Sequence, residues 1–360
     1  MQNKKISYHP IIIGTALILG LYFLIMGLIQ IQGFLAPLVI AGVLSLLIYP
    51  LCKKLEKTRL SKSLACLISS ITLFIISLGI LAIVFFQFQG FIEEWPTIKE
   101  NMKPKIEELK NFAIENTPIN SGDIETITSN NGLSSIGSLV NKPGSKAMLF
   151  LSGTSAFIAN YLLVFIYIFF LLRYRKRFLI FLIRLFPNKH KDEIEETSSE
   201  LTQVISQYLI GKLSLMGILA IAYSIGLGIS GVENFILVSI IASLLTLIPY
   251  IGNIIGFCLA LAFGYLVSGE IGVLIGVIIT FTISQFLESY VLQPYIIGGR
   301  VNLHPFLVIL MVILGSAIWG IPGMILAVPL TAIFTTIVLH IPSLKLVGEL
   351  FQNESIKKSD

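Results

Sequence analysis

Charge is scarce in this chain. Asp, Glu, Lys and Arg make up 12% of the 360 residues while 55% are hydrophobic, and a soluble domain is usually about a quarter charged. A water-soluble globule is therefore the wrong class, and repeated spans of a bilayer are the right one. The apolar runs are continuous and do not alternate, so helices rather than barrel strands are the spanning elements. Thiols and imidazoles are few as well. Cys52, Cys66 and Cys258 stand at no metal-ligand spacing, and His9, His190, His304 and His340 are dispersed. The sequence thus predicts no disulfide framework, no metal centre and no cofactor. A Gly-rich phosphate loop is missing, which argues against ATP-driven transport by this chain alone. No nucleophile–base pair marks an enzyme.

What is present is a net charge of +5, set by 25 Lys and Arg that gather in loops. That clustering suits a positive-inside membrane protein and not a nucleic-acid partner. Lys4 and Lys5 precede the apolar run 11–29, which is too long for a cleaved leader and is followed by a second apolar run, 33–51. Lys53, Lys54, Lys57, Arg59 and Lys62 then form a loop expected to be cytoplasmic, which places the N-terminus inside. A third span covers 64–88. Segment 89–146 holds six basic and eight acidic residues and is expected outside, an amphipathic helix to Asn116 and then a loop over 118–144. It serves as a lid or partner surface, or as a solvated face against the bundle. The fourth span, 147–172, ends in Arg173-Tyr-Arg-Lys-Arg177. An amphipathic helix over 192–209 follows, lying on the membrane or a neighbour or simply connecting.

The C-terminal half changes pattern. After a span at 212–229 come two short apolar runs, 235–248 and 254–268, joined by Pro249-Tyr-Ile-Gly-Asn253. At about 1.5 Å per residue each arm is about 21–23 Å long, short of a hydrocarbon core of about 30 Å. They are expected to form a re-entrant hairpin. A full span over 271–292 is followed by a second pair, 305–319 and 324–340, turned at Gly320-Ile-Pro-Gly323, with Pro329 expected to kink the longer arm. A span and a hairpin occur twice in opposite directions, an inverted repeat of the kind found in alternating-access carriers. The alternative is ten ordinary short spans. The fold class expected is an all-α integral membrane protein with about six full transmembrane helices plus two re-entrant hairpins. Its regions would be a scaffold over 1–172, a connector over 173–211, a transport core over 212–341 and a cytoplasmic tail over 342–360.

Between Lys212 and Lys345 the only formal charges are Glu233, Glu270, Glu288 and Arg300. A charge retained in or beside hydrocarbon is a functional candidate. Thr280, Ser284 and Glu288 fall at i, i+4 and i+8 on one helix with Gln285 beside them, a polar stripe that should face protein or water. Glu288 either binds a proton or cation, or pairs with Arg300 and holds the following loop. Tyr250 and Asn253 at the first hairpin tip offer hydroxyl and amide groups to a small polar solute or ion. Pro249 and Gly252 there, and Gly320, Pro322 and Gly323 at the second tip, permit the turns and expose backbone. Asn302 and His304 are expected to cap the helix that starts at Pro305, with a histidine proton switch as the alternative.

The run Gln285-Phe-Leu-Glu288, Pro294, Gly298-Gly-Arg-Val-Asn-Leu-His-Pro305, then Gly320-Ile-Pro-Gly323 and Ala327-Val-Pro329, resembles the signature of the autoinducer-2 exporter family of bacterial membrane proteins. The Pro249-Tyr-Ile-Gly252 tip and the basic loop after the fourth span suit the same pattern. The resemblance implies a homo-oligomeric, multi-pass permease of the bacterial cytoplasmic (inner) membrane, and Lys345, Lys357 and Lys358 in the tail place the C-terminus inside with the N-terminus. Its implied cargo is a small polar solute such as a quorum-sensing signal. The other readings are a sodium(lithium)/proton antiporter using Glu288 and a non-transporting membrane scaffold.

Overall fold

The computed structural model describes residues 9–116, 143–185, 191–265, 270–298, 301–341 and 344–353. Among them there are helices and no strands. The N-terminal helices are α1 (His9–Gln30), α2 (Gln32–Glu56), α3 (Lys62–Asn116) and α4 (Pro143–Leu185). Then come α5 (Lys191–Ile229), α6 (Phe235–Leu245), α7 (Ile251–Phe263) and α8 (Ile271–Leu287). A π-helix (Glu288–Ile297) continues α8, and α9 (Pro305–Trp319), α10 (Ile321–Leu339) and the short α11 (Lys345–Phe351) complete the chain.

Six helical stretches are long and apolar enough to cross a membrane: Gln32–Glu56, Lys62–Gln87, Phe157–Phe181, Ile194–Ile229, Ile271–Ile297 and Ile321–Leu339. This set differs from the expected one at both ends. The apolar part of α1 falls among the shorter helices, and α10 reaches spanning length although it contains Pro329. Two expected boundaries disappear. The third span and the amphipathic segment after it form one helix of 55 residues. The connector at 192–209 and the span that follows are likewise one helix, of 39 residues. Sequence windows divide a helix wherever its hydropathy changes, whereas the backbone ladder runs on across such a change, in the 55-residue helix past Pro96 and Pro104 as well. The loop expected over 118–144 lies outside the described residues except at its end, where α4 has already begun.

The N-terminal helices share a core of Ala41, Leu47, Cys52, Cys66, Leu73, Ile168 and Leu172. Their outer faces are apolar and bare, with Ile18, Phe23 and Phe86 about 70% exposed or nearly so (71%, 70% and 68%). Such an area would be a liability in water and is what acyl chains would cover. A second core, with Leu215, Leu219, Tyr223, Leu227, Val273, Val277 and Phe281, joins α5 to α8 and takes in Val238, Ala242 and Ala260 of the first hairpin. Small residues bring the backbones close there. A Cβ on Gly226 would lie 2.3 Å from Thr280, and one on Gly276 would lie 2.4 Å from Ser230 Oγ. With no hydrophobic drive between helices in lipid, close approach of this kind supplies the packing energy.

The two short-armed pairs are helical hairpins, α6–α7 and α9–α10. Their arms touch through glycine. A Cβ on Gly252 would sit 1.7 Å from the Leu245 carbonyl oxygen, and one on Gly323 would sit 1.9 Å from that of Gly315. The first hairpin leans on the second, with Ile248 and Ile251 from its tip packed against Val312, Met324 and Ala327.

Candidate functional site

Glu288 stands where α8 passes into the π-helix, and it is only 4% exposed. π-Helical turns occur mostly as short bulges, frequently at functional sites, and one of ten residues is unusual. Pro294 lies inside it and the helix ends at Gly298, whose φ of 60° and ψ of −158° belong to a region that glycine alone enters readily. The helix thus continues five residues beyond the expected end of this span at 292, passing through Pro294. The wider turn keeps Glu288, Gln285 and Ser289 on the face toward the first hairpin.

Asn253 bridges the two elements. Its amide nitrogen donates to Gln285 Oε1 at 3.0 Å and to Glu288 Oε2 at 3.1 Å, and Gln285 Nε2 is 3.0 Å from Ser289 Oγ. The other carboxylate oxygen, Oε1, lies 4.0 Å from Lys212 Nζ on α5. Lys212 reaches it because Gly211 lets the backbone of Ile296 approach, a Cβ there being 3.2 Å from the Ile296 oxygen. The side chains of Lys212 and Glu288 are 13% and 5% exposed. Two charges at that depth persist only because each meets the other and, for the carboxylate, an amide donor.

These groups border a cavity of about 410 Å³. Tyr208, Lys212, Pro249, Tyr250, Asn253, Gln285, Glu288, Ser289 and Asn302 line it, together with Leu303, Val308 and Val328 on the apolar side. Of the residues singled out in the sequence, Glu288, Gln285, Asn253, Tyr250 and Pro249 therefore meet at one place. Thr280 and Ser284 are buried at 8% and 4% but are not among its lining residues; Thr280 packs against Gly226 in the α5–α8 seam. Gly252 is enclosed between the arms of its own hairpin. Gly320, Pro322 and Gly323 do not line the cavity. Their turn lies beside α1 and α2, where Trp319 packs with Ala36 and Val43 and its indole donates to the Leu28 carbonyl at 3.1 Å. Arg300 lies outside the described residues; among those described, the cation beside Glu288 is Lys212. His304 is the N-cap of α9 without a side-chain capping bond, its backbone N–H donating instead to the Phe351 carbonyl at 2.8 Å.

The first tip is strained. Tyr250 has φ 61° and ψ −57°, and the Ile251 N–H donates to the Pro249 carbonyl at 2.7 Å, which together make the rare γ-turn. A tyrosine in this conformation costs about 1–3 kcal/mol and persists only where its surroundings enforce it.

A helical bundle with spanning helices and a buried polar cluster opening on a cavity is an arrangement that transporters and permeases share. The model of the AI-2E family of transporters matches residues 11–343, and the chain belongs to that family. It is 26% identical over 317 residues to "Putative transport protein YueF" of Bacillus subtilis, covering 85% of this chain and 83% of that one. A "Putative transport protein" of Mycobacterium tuberculosis is 24% identical over 312 residues, with the same coverage of 85% and 83%. "Putative permease PerM" of Escherichia coli K12 is 25% identical over 182 residues, about half of each chain (50% and 51%).

Proposed function

We propose that this membrane transporter is a secondary carrier that exports a small polar solute by alternating access through the cavity beside Glu288. The supporting observation is the Lys212–Glu288–Asn253 cluster, which joins α5, the π-helix and the first hairpin at the wall of a space of about 410 Å³. A carboxylate, an ammonium, amides and phenols offer both donors and acceptors, which suits a hydroxylated solute such as a quorum-sensing signal. Residues 212–341 form the moving core in this scheme. Residues 1–172 form the scaffold, with the segment 89–146 outside, and the connector over 173–211 and the tail over 342–360 lie in the cytoplasm. The protein sits in the cytoplasmic membrane of a bacterium, both termini inside, as a homo-oligomer. The hairpins re-enter from opposite faces as an inverted repeat. The arms of the first, 11 and 13 residues long, are too short to cross.

A second mode, sodium(lithium)/proton antiport, has its own support in the buried ion pair. A cation or proton arriving at Glu288 would release Lys212, so binding at one carboxylate would loosen the contact between α5 and the π-helix. Proteoliposomes assayed for efflux of polar solutes and for sodium- or lithium-driven proton movement test both. Glu288→Gln should abolish antiport and sharply reduce solute export. Wild-type rates for the variant in both assays would overturn this role for the cavity.

A further inference from the structure

The end of α2, the start of α3 and the later part of α4 enclose a second space, of about 200 Å³. Lys62, Arg173, Arg175, Lys176 and Arg177 line it, with Glu56 as the one carboxylate among the lining residues. Cys66 lines it as well, its sulfur 3.5 Å from that of Cys52. Basic residues at a helix end are the ordinary mark of membrane orientation. Orientation needs the charge alone; it does not need five cations arranged around a cavity.

Glu56 is engaged by Arg175, whose guanidinium also donates to the Leu172 carbonyl at 3.1 Å and lies over the Tyr49 ring. Among the described residues, this is the one ion pair that a lining cation makes. Two further guanidiniums are set in place by neutral groups. Arg173 donates from Nε to Ser63 Oγ at 2.8 Å, and the centre of the Tyr174 ring lies 5.6 Å from its Cζ and 5.1 Å from that of Arg177. A planar guanidinium fixed in this way is matched to two oxygens of one phosphate. The Tyr174 ring in turn stacks on Phe170 at 6.0 Å, and Phe170 is 47% exposed on the apolar outer face of α4. Cations, aromatic ring and bare apolar surface are thus continuous, an order that matches an amphiphile from headgroup to chain.

We propose that this space binds the headgroup of an anionic phospholipid of the phosphatidylglycerol class. The phosphodiester sits among Lys62, Arg173, Lys176 and Arg177, and an acyl chain runs past Tyr174 along Phe170. A volume of about 200 Å³ admits the headgroup and leaves the chains outside. A free inorganic anion could use the cations but has no use for Phe170, which decides for the lipid. Basic pockets between spanning helices take anionic headgroups by the same chemistry. Because Lys62 belongs to α3 and the arginines to α4, one bound lipid ties the two helices together.

The test uses the full chain, delipidated in a neutral detergent, with phosphatidylglycerol, phosphatidylcholine and inorganic phosphate as separate probes. Native mass spectrometry counts the bound lipid, and thermal unfolding reports its effect. Wild type should keep about one phosphatidylglycerol per chain under conditions that strip phosphatidylcholine, and of the three probes phosphatidylglycerol alone should raise the melting temperature. Arg173→Gln/Arg177→Gln should bind it about thirtyfold more weakly, and the milder Lys62→Gln about fivefold. Lys57→Gln/Arg59→Gln removes the same charge from exposed residues outside the cavity and should bind as wild type does. The wild-type titrations decide the matter even where a variant fails to fold. Equal retention of the two lipids, or equal weakening by the outer pair, would overturn the proposal. So would stabilisation by phosphate equal to that by phosphatidylglycerol, which would assign the space to a free anion.

Discussion

The two helical hairpins share a plan and differ at every point that matters for work. Each has apolar arms pressed together through glycine, at Gly252 in one and at Gly315 and Gly323 in the other. The first turns through a tip of several residues with Tyr250 at positive φ, and that tip borders the cavity. The second turns on Gly320 alone, where a φ of 60° costs glycine little, and its tip is bonded to α1 through Trp319. One hairpin stores strain beside polar groups, and the other is anchored in an apolar core. On the proposed function, the first hairpin is the working edge of the moving core and the second carries the core's contact with the N-terminal helices.

The largest effect is expected from Glu288→Gln. Lys212 would lose its counter-charge at a depth where breaking such a pair costs about 3–5 kcal/mol. Thermal unfolding in detergent should show the loss, and Lys212→Met added to it should recover part of the stability. Full additivity of the two substitutions would mean that the pair carries no coupling. Next come Gly252→Ala and Gly323→Ala, each forcing hairpin arms apart at a cost of about 3 kcal/mol, the top of the usual range for overpacking. Similar losses at both sites would establish that the hairpins share one packing device. A harmless Gly252→Ala would show that the first hairpin is loosely held.

Smaller effects sharpen the contrast between working edge and support. Asn253→Ala removes two donor contacts, one to a carboxylate, worth about 1.5–3 kcal/mol at most, and should lower transport more than stability. Trp319→Phe removes one indole bond worth about 1 kcal/mol and should lower the melting temperature while leaving the transport rate per folded molecule unchanged. An exchange of those outcomes would reverse the roles given to the two hairpins. The smallest stability change is expected for Tyr250→Gly. Relief of the strained φ is offset by a more flexible unfolded chain, leaving the melting temperature within a few degrees of wild type. Transport should still fall, because a cavity-lining ring is gone.

The two hairpins, though not the contrast between them, were legible in the sequence. Pro249, Gly252 and Gly320 marked two turns between apolar runs, three of them too short to span and the fourth, α10, just long enough. The polar stripe on α8 marked a face turned away from lipid, and Thr280, Ser284 and Glu288 are all buried. Lys212 was missed because it sits where a cytoplasmic amphipathic segment gives way to a span, a place where lysines are ordinary. The close approach of Gly211 to Ile296, which sets α5 against the π-helix, is a tertiary contact that the sequence does not announce. The π-helix carries no residue pattern of its own, and Pro294 looks like a stop signal to any rule built on the α-helical ladder. The pairing of Cys52 with Cys66 depends on how two helices face each other across a loop, which spacing along the chain does not encode.

The claim that the cavity beside Glu288 is the transport path is tested most directly by labelling Ser289→Cys in a Cys258→Ser background, in right-side-out and inverted vesicles, with a small membrane-impermeant thiol reagent. Alternating access predicts modification from both sides of the membrane, slowed by transported solute, with loss of transport after labelling. Modification from one side only, or full transport by the labelled protein, would contradict it.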